Sequence, residues 1–186
     1  ISPGPLARPH AKLEGTLQCA KCHAGGRGGG KEQMSGQCLN CHKEIAWLVD
    51  RERGLHGSAP AKTHRCASSH PDHAGVDFAL VTWQGLGGSA ERFDHARAGW
   101  PLEGSHARQK CAGCHKAPFR NSPVVRLSQR PRSDPGWLGL ERSCTSCHED
   151  AHRGALSQNC VKCHDIQHWK PAARFHHAKT AYPLTG

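Results

Sequence analysis

Two residue types dominate the chemistry open to this chain: 11 cysteines and 16 histidines among 186 residues. Ten of the cysteines stand in pairs three positions apart, each followed at once by a histidine. The five units are Cys19/Cys22/His23, Cys38/Cys41/His42, Cys111/Cys114/His115, Cys144/Cys147/His148 and Cys160/Cys163/His164. Cysteine pairs of this spacing also build zinc ribbons, disulfides and thioredoxin-like redox pairs. None of those requires a histidine directly after the second cysteine. Histidine is roughly one residue in twelve here, so five chance successes in five are improbable by many powers of ten. The pattern C-x-x-C-H is the attachment signature of a c-type haem. Two sulfurs on one side of a single turn reach the two vinyl groups on one porphyrin edge. The next residue turns under the ring and offers its imidazole to the iron.

A sixth unit lacks one sulfur. Cys66-Ala-Ser-Ser69-His70 reads C-x-x-S-H, with serine in place of the second cysteine. The alternatives are a decayed motif with a free thiol, or a haem joined by one thioether from Cys66 and bound by His70. The second is favoured, because axial ligation rather than the second thioether holds iron in place. The expected cofactors are therefore five haem c groups and a sixth at this site.

Six proximal histidines (His23, His42, His70, His115, His148 and His164) leave ten for the opposite faces of the irons. The chain has a single methionine, Met34, so His/Met ligation serves one haem at most. Bis-histidine ligation and low potentials follow for the rest. The distal candidates are His10, His56, His73, His95, His106, His152, His168 and His177. His73, His152 and His168 follow a proximal histidine by three or four residues. That is too close to reach the far face of the same haem, so each is expected to serve a neighbour. His64 and His176 look expendable.

The elements that must position these residues are few. Aromatic residues make up 5% of the chain and hydrophobic ones 36%, against 21 glycines and 12 prolines. Such a chain cannot build an ordinary apolar core at this length. The expected fold is mostly irregular with a few short α-helices, an array whose core is the haems, and disordered without them. The net charge of +10 ordinarily suggests nucleic acid or an anionic membrane. Haem propionates offset about half of it, and no recognition motif accompanies the charge, so nucleic acid is excluded as a partner. No apolar run approaches a membrane span.

In order, residues 25–30 form a glycine-rich turn with no strand–loop–helix frame that would make it a phosphate loop. Lys43 to Arg53 carries Ile45, Leu48 and Val49 at helical spacing, which predicts the best helix of the chain, stopped by Gly54 and packed on haem rather than on another helix. Pro118 to Trp137 is rich in Pro, Arg and Ser and reads as an exposed loop with little to bury. Phe93-Asp-His95…Pro101-Leu-Glu-Gly104 recurs as Phe175-His-His177…Pro183-Leu-Thr-Gly186. Cys144-x-x-Cys-His-Glu-Asp-Ala-His152 echoes Cys66-x-x-Ser-His-Pro-Asp-His73. The repeat divides the chain into residues 1–104, with motifs at 19–23, 38–42 and 66–70, and residues 105–186, with motifs at 111–115, 144–148 and 160–164. The two read as one continuous array. Because Gly186 aligns with Gly104, which a motif follows closely, the chain is expected to be part of a longer one.

These motifs, the trailing C-H-x-D-x-H and the F-x-H…P-L-x-G rhythm resemble the multihaem cytochromes c of bacterial respiration, in their low-potential bis-histidine (class III-like) group. The resemblance implies closely packed haems forming an electron wire in anaerobic or extracellular respiration. Redox proteins would serve as its donor and acceptor, with a homo-oligomer or larger complex as a further possibility. An enzyme alternative is a multihaem reductase of a small oxyanion such as nitrite. It needs an open iron position and acid–base groups, whereas this sequence oversupplies histidine, lacks C-x-x-C-K and has one tyrosine, Tyr182. No catalytic residues are therefore assigned. A third alternative is a subunit of a cytochrome filament or membrane-associated complex. Covalent haem attachment occurs outside the cytoplasm in bacteria, so Ile1-Ser-Pro-Gly-Pro5 reads as a mature N-terminus after export, without a cysteine for a lipid anchor, in the periplasm or outside the cell.

Overall fold

Short helical turns joined by irregular segments make up the described residues, and six of those helices carry a cysteine motif. The computed structural model describes residues 3–23, 31–58, 65–128 and 136–179. The glycine run, His64, the middle of the Pro/Arg-rich stretch, Tyr182 and the end of the second repeat copy lie outside the described residues. Among the described residues there is no strand, only an isolated bridge between Arg120 and Leu140. The fold is mostly irregular with a few short helices.

Among the described residues the longest helices are α1 (Lys31–Cys41) and α2 (Lys43–Asp50), and the single turn α3 (Gly54–Gly57) follows them. Sequence periodicity pointed to α2 as the principal helix, but α1 is longer. Its sequence, KEQMSGQCLNC, carries no apolar stripe, so nothing in the hydrophobic pattern announces it. α2 ends at Asp50 rather than running to Gly54, because Glu52 adopts a left-handed conformation (φ 54°) and the Arg53 N–H returns to the Leu48 carbonyl. The expectation that this helix packs on haem rather than on a helix fails for its one buried side chain. Leu48 is covered by α3, with Gly54 in van der Waals reach of its methyls.

The chain falls into two units, Ile1–Gly99 with Arg126–Gln129, and Trp100–Val125 with Arg130–Gly186. In the first, the N-terminal segment runs beside residues 72–76. The Arg8 N–H donates to the Val76 carbonyl, the Gly75 N–H to Pro5, and the Ala7 N–H to the Asp72 carboxylate. In the second, the turn Gly104–Arg108 lies on the loop after the last motif, where the Ser105 N–H donates to the Ile166 carbonyl at 3.2 Å. Gly104 must be glycine there. It sits at φ 58°, and a Cβ would come 2.6 Å from that same carbonyl oxygen.

Among the described residues the apolar side chains buried by protein alone are Ala7, Leu48, Val124 and Val125. Val124 and Val125 correct the sequence reading of an exposed linker. Arg120 and Ser122 are buried beside them, Arg120 Nε donating to the Leu138 carbonyl and the Ser122 N–H to that of Gly139. Side chain–backbone bonds, which no composition reports, turn a polar stretch inward. Several large apolar side chains stay exposed, among them Leu17, Val81, Leu156 and Trp137.

Candidate haem centres

All five C-x-x-C-H units, and the C-x-x-S-H unit, close the same way. The histidine N–H donates to the carbonyl of the first cysteine, at 2.8 Å in the units at 19, 38 and 111 and 2.9 Å in those at 66, 144 and 160. The turn is 3-10 at Cys19–Lys21, Cys144–Ser146 and Cys160–Lys162, α-helical at Cys66–Ser69 and Cys111–Cys114, and part of α1 for Cys38 and Cys41. One helical turn with a histidine at its C-cap puts both sulfurs and the imidazole on the same side of the backbone. No disulfide joins any of the 11 cysteines. Among the described residues no group of three or more His, Cys, Asp or Glu side chains gathers as a protein-only metal site would require. A zinc ribbon, which needs two cysteine pairs converging on one ion, therefore does not fit.

The histidines fit a different metal geometry. Five pairs of imidazoles face one another: His10–His42 at 6.1 Å between ring centres, His23–His73 at 6.2 Å, His56–His70 at 6.3 Å, His106–His148 at 6.0 Å and His152–His164 at 6.1 Å. Two imidazoles bonded through nitrogen to one metal, at about 2.0 Å each, place their ring centres roughly 6 Å apart. Ordinary aromatic packing also covers that range, as the Phe93–His95 pair at 5.3 Å and the Phe175–His177 pair at 4.9 Å show. Distance alone therefore does not decide. Each of the five pairs joins a histidine that follows a cysteine unit to one that does not, as two axial ligands of one iron would require.

Hydrogen bonds aim the rings. Nδ1 of His70, His73 and His164 lies 2.7, 2.9 and 2.8 Å from the carbonyl oxygens of Leu80, Gly4 and Trp169. Nδ1 of His10 and His42 meets the carboxylates of Asp72 at 2.6 Å and Glu44 at 3.2 Å, and that of His152 meets Asp150 at 3.4 Å. An acceptor at Nδ1 takes the ring proton there and leaves the Nε2 lone pair for a metal. Burial works to raise the Asp72 carboxyl, but the Ala7 N–H, His10 and the His73 N–H outweigh it and hold it below the usual carboxylate range. The Gly154 and His152 N–H groups do the same for Asp150. Burial, then the neighbouring His70, hold His56 below the ordinary imidazole value, so it is neutral with a lone pair to give.

Aromatic side chains complete two centres. Trp169 stacks flat on His164, ring centres 4.1 Å apart and planes 8° from parallel. Arg174 holds this loop, reaching the Val161 carbonyl and the Asp165 carboxylate, both at 3.1 Å. Trp137 stands edge-on to His115 at 4.8 Å, and the two rings with Cys111, Ala112 and Gly136 line a pocket of about 180 Å³. That apolar hollow beside a motif would take part of a porphyrin face.

Burial and neighbouring thiols act on the cysteines of both units. Burial, then the thiols of Cys66 and Cys22, push the Cys38 thiol up to about 11. Burial, then Asp72 and Cys41, raise Cys22. In the second unit burial, then Cys114, raises the Cys147 thiol, and burial, then Cys144, raises that of Cys160.

Of the eight distal candidates, five (His10, His56, His73, His106 and His152) face a motif histidine. His73 faces His23 rather than His70, and His152 faces His164 rather than His148. His95 and His177 stand edge-on to Phe93 and Phe175. No motif histidine faces His168 among the described residues. His176 is exposed. Sequence reasoning gave no role to Asp72, Glu44, Asp150, Trp137 or Trp169. The aspartates had a signal, since both stand two residues after the histidine of a repeated unit, Ser69-His70-Pro-Asp72 and Cys147-His148-Glu-Asp150.

Residues 100–165 match the family described as cytochrome c7 and related cytochrome c. Neither a curated protein nor a solved structure matches the chain. The match, the five complete attachment motifs and the irregular fold define the protein as a multihaem c-type cytochrome, and its class is electron transfer.

Proposed function

We propose that the protein is an exported electron carrier whose units each present a row of low-potential haems, working in bacterial anaerobic or extracellular respiration. The observation that carries this is the set of five imidazole pairs with ring centres 6.0–6.3 Å apart. In this reading the cysteines of the motifs hold the porphyrins, and His23, His42, His70, His148 and His164 bind iron from one side. His73, His10, His56, His106 and His152 respectively bind it from the other, and His115 is the proximal ligand of the remaining centre. Haem supplies a reversible one-electron couple when bound. The chain's own residues fix the axial ligands, and the carboxylates of Asp72, Glu44 and Asp150 raise imidazole basicity, which favours the ferric state and lowers the potential. Two strong nitrogen ligands per iron leave no position for a substrate at those centres, which argues against oxyanion reduction there. Export follows from the compartment in which haem is attached covalently, and the redox partners are a quinol- or hydrogen-linked donor and a terminal acceptor.

An optical and electron-paramagnetic redox titration with added carbon monoxide tests this. The five paired centres are expected to be low-spin in both oxidation states, to titrate below zero potential and to leave carbon monoxide unbound. High-spin signals from several haems, or stoichiometric carbon monoxide binding by them, would overturn the reading.

A further inference from the structure

The C-x-x-S-H unit is built like a working centre rather than an abandoned one. Its turn closes with the same His70 N–H to Cys66 carbonyl bond, at 2.9 Å, as the complete motifs at 144 and 160. The Cys66 N–H is pinned by the Ser35 hydroxyl of α1 at 3.2 Å. His70 Nδ1 meets the Leu80 carbonyl at 2.7 Å, as His164 Nδ1 meets that of Trp169 at 2.8 Å, so both rings present Nε2.

Opposite stands His56, ring centres 6.3 Å apart and planes 29° from parallel. Offset stacking and two imidazoles on one metal both fit this separation, and what marks the pair is that His70 closes a cysteine turn while His56 does not. The chain also gives up a side chain to seat His56. A Cβ on Gly57 would meet the Leu48 carbonyl oxygen at 2.4 Å and the Glu52 backbone at 2.6 Å, so only glycine lets α3 lie against α2. A decayed site would keep neither the facing imidazole nor its backing.

We infer that Cys66 carries a sixth haem through a single thioether, with His70 and His56 as its axial ligands. The inference rests on the bis-histidine reading above, in which His70 and His56 share an iron, and adds how that haem is held where the motif lacks its second cysteine. In the attachment step the Cys66 S–H adds across one vinyl C=C. The sulfur bonds to the carbon next to the ring, and the thiol hydrogen ends on the terminal carbon. No oxidant or leaving group is involved. The Ser69 hydroxyl is too weak a nucleophile for the second vinyl, which therefore survives and stays conjugated with the porphyrin.

The test uses the full chain exported from a host that attaches haem c. Under denaturing conditions the intact mass should equal the polypeptide plus six haems. Proteolysis should release a Cys66 haem-peptide whose pyridine haemochrome α-band lies at longer wavelength than those of the doubly attached peptides. Ser69→Cys should move that band to the position of the others without changing the haem count, while Cys66→Ala should lower the count by one. A wild-type mass with only five haems and a Cys66 that alkylates freely would overturn the inference, whatever the variants do. That result would leave the bis-histidine reading standing for the other centres. Six haems with carbon monoxide bound at several would overturn that reading and, with it, the His56–His70 assignment.

Discussion

The two units solve one problem with different materials. In residues 1–99 the three motif histidines face His73, His10 and His56, and the N-terminal segment is laced to residues 72–76 to bring them there. In the second unit His148 and His164 face His106 and His152, while His115 is backed by Trp137. The family match covers residues 100–165, inside the second unit, yet the imidazole spacings in the first differ from those in the second by a few tenths of an ångström at most. Metal–ligand geometry tolerates little variation, whereas the backbone that delivers the ligands tolerates a great deal. The second unit also keeps a small protein-only core at Val124 and Val125, where the first has Ala7 and Leu48.

The largest effect to expect is from removing haem altogether. A chain made where haem is not attached should show no cooperative thermal transition in circular dichroism, because the four apolar side chains buried among the described residues cannot offset the ordering entropy. Any surviving amide-exchange protection belongs at Val124 and Val125. A sharp two-state transition in the haem-free chain would show that the polypeptide alone carries the fold.

Next come the crossed ligands, one from each unit. His73→Ala should turn one haem high-spin, the one on Cys19 and Cys22 rather than the nearer-in-sequence centre at Cys66. His152→Ala should do the same to the haem on Cys160 and Cys163. Electron-paramagnetic spectra of the variants check both, and an unchanged low-spin spectrum for either breaks the likeness between the units.

A backbone comparison is smaller. Gly104→Ala meets both a left-handed φ of 58° and the Ile166 carbonyl, and should cost about 2–3 kcal/mol. Gly154, at φ 80° with open space around it, should cost about 1 kcal/mol on the same change. Denaturant midpoints of the holoproteins measure both, and equal losses would mean that the carbonyl can move aside.

The smallest effect separates two aspartates at equivalent positions in the repeat. Asp72→Asn removes a carboxylate 2.6 Å from His10, and Asp150→Asn one 3.4 Å from His152. Both potentials should rise as the ferric state loses support. The shift should be larger for Asp72→Asn, on the order of a tenfold change or ~59 mV for one electron. Spectroelectrochemistry decides, and a larger shift from Asp150→Asn would mean that hydrogen-bond length does not rank the two.

What the sequence determined on its own is the chemistry. C-x-x-C-H is a covalent requirement written in contiguous residues, and a chain this poor in aromatics leaves an irregular, haem-dependent fold as its outcome. The list of spare histidines was equally legible, since each iron needs a second ligand. What only the tertiary structure decided is which histidine faces which. His23 and His73 are fifty residues apart and meet because Gly4, Pro5 and Ala7 bond to residues 72–75. Such long-range bonds leave no period or local pattern to read. The burial of Val124 and Val125 inside a polar stretch was hidden for the same reason, as it depends on carbonyls at 138 and 139 rather than on the residues beside them. The attachment motif is local and shows in the sequence, whereas the imidazole that faces its histidine comes from a distant residue and depends on the folded chain.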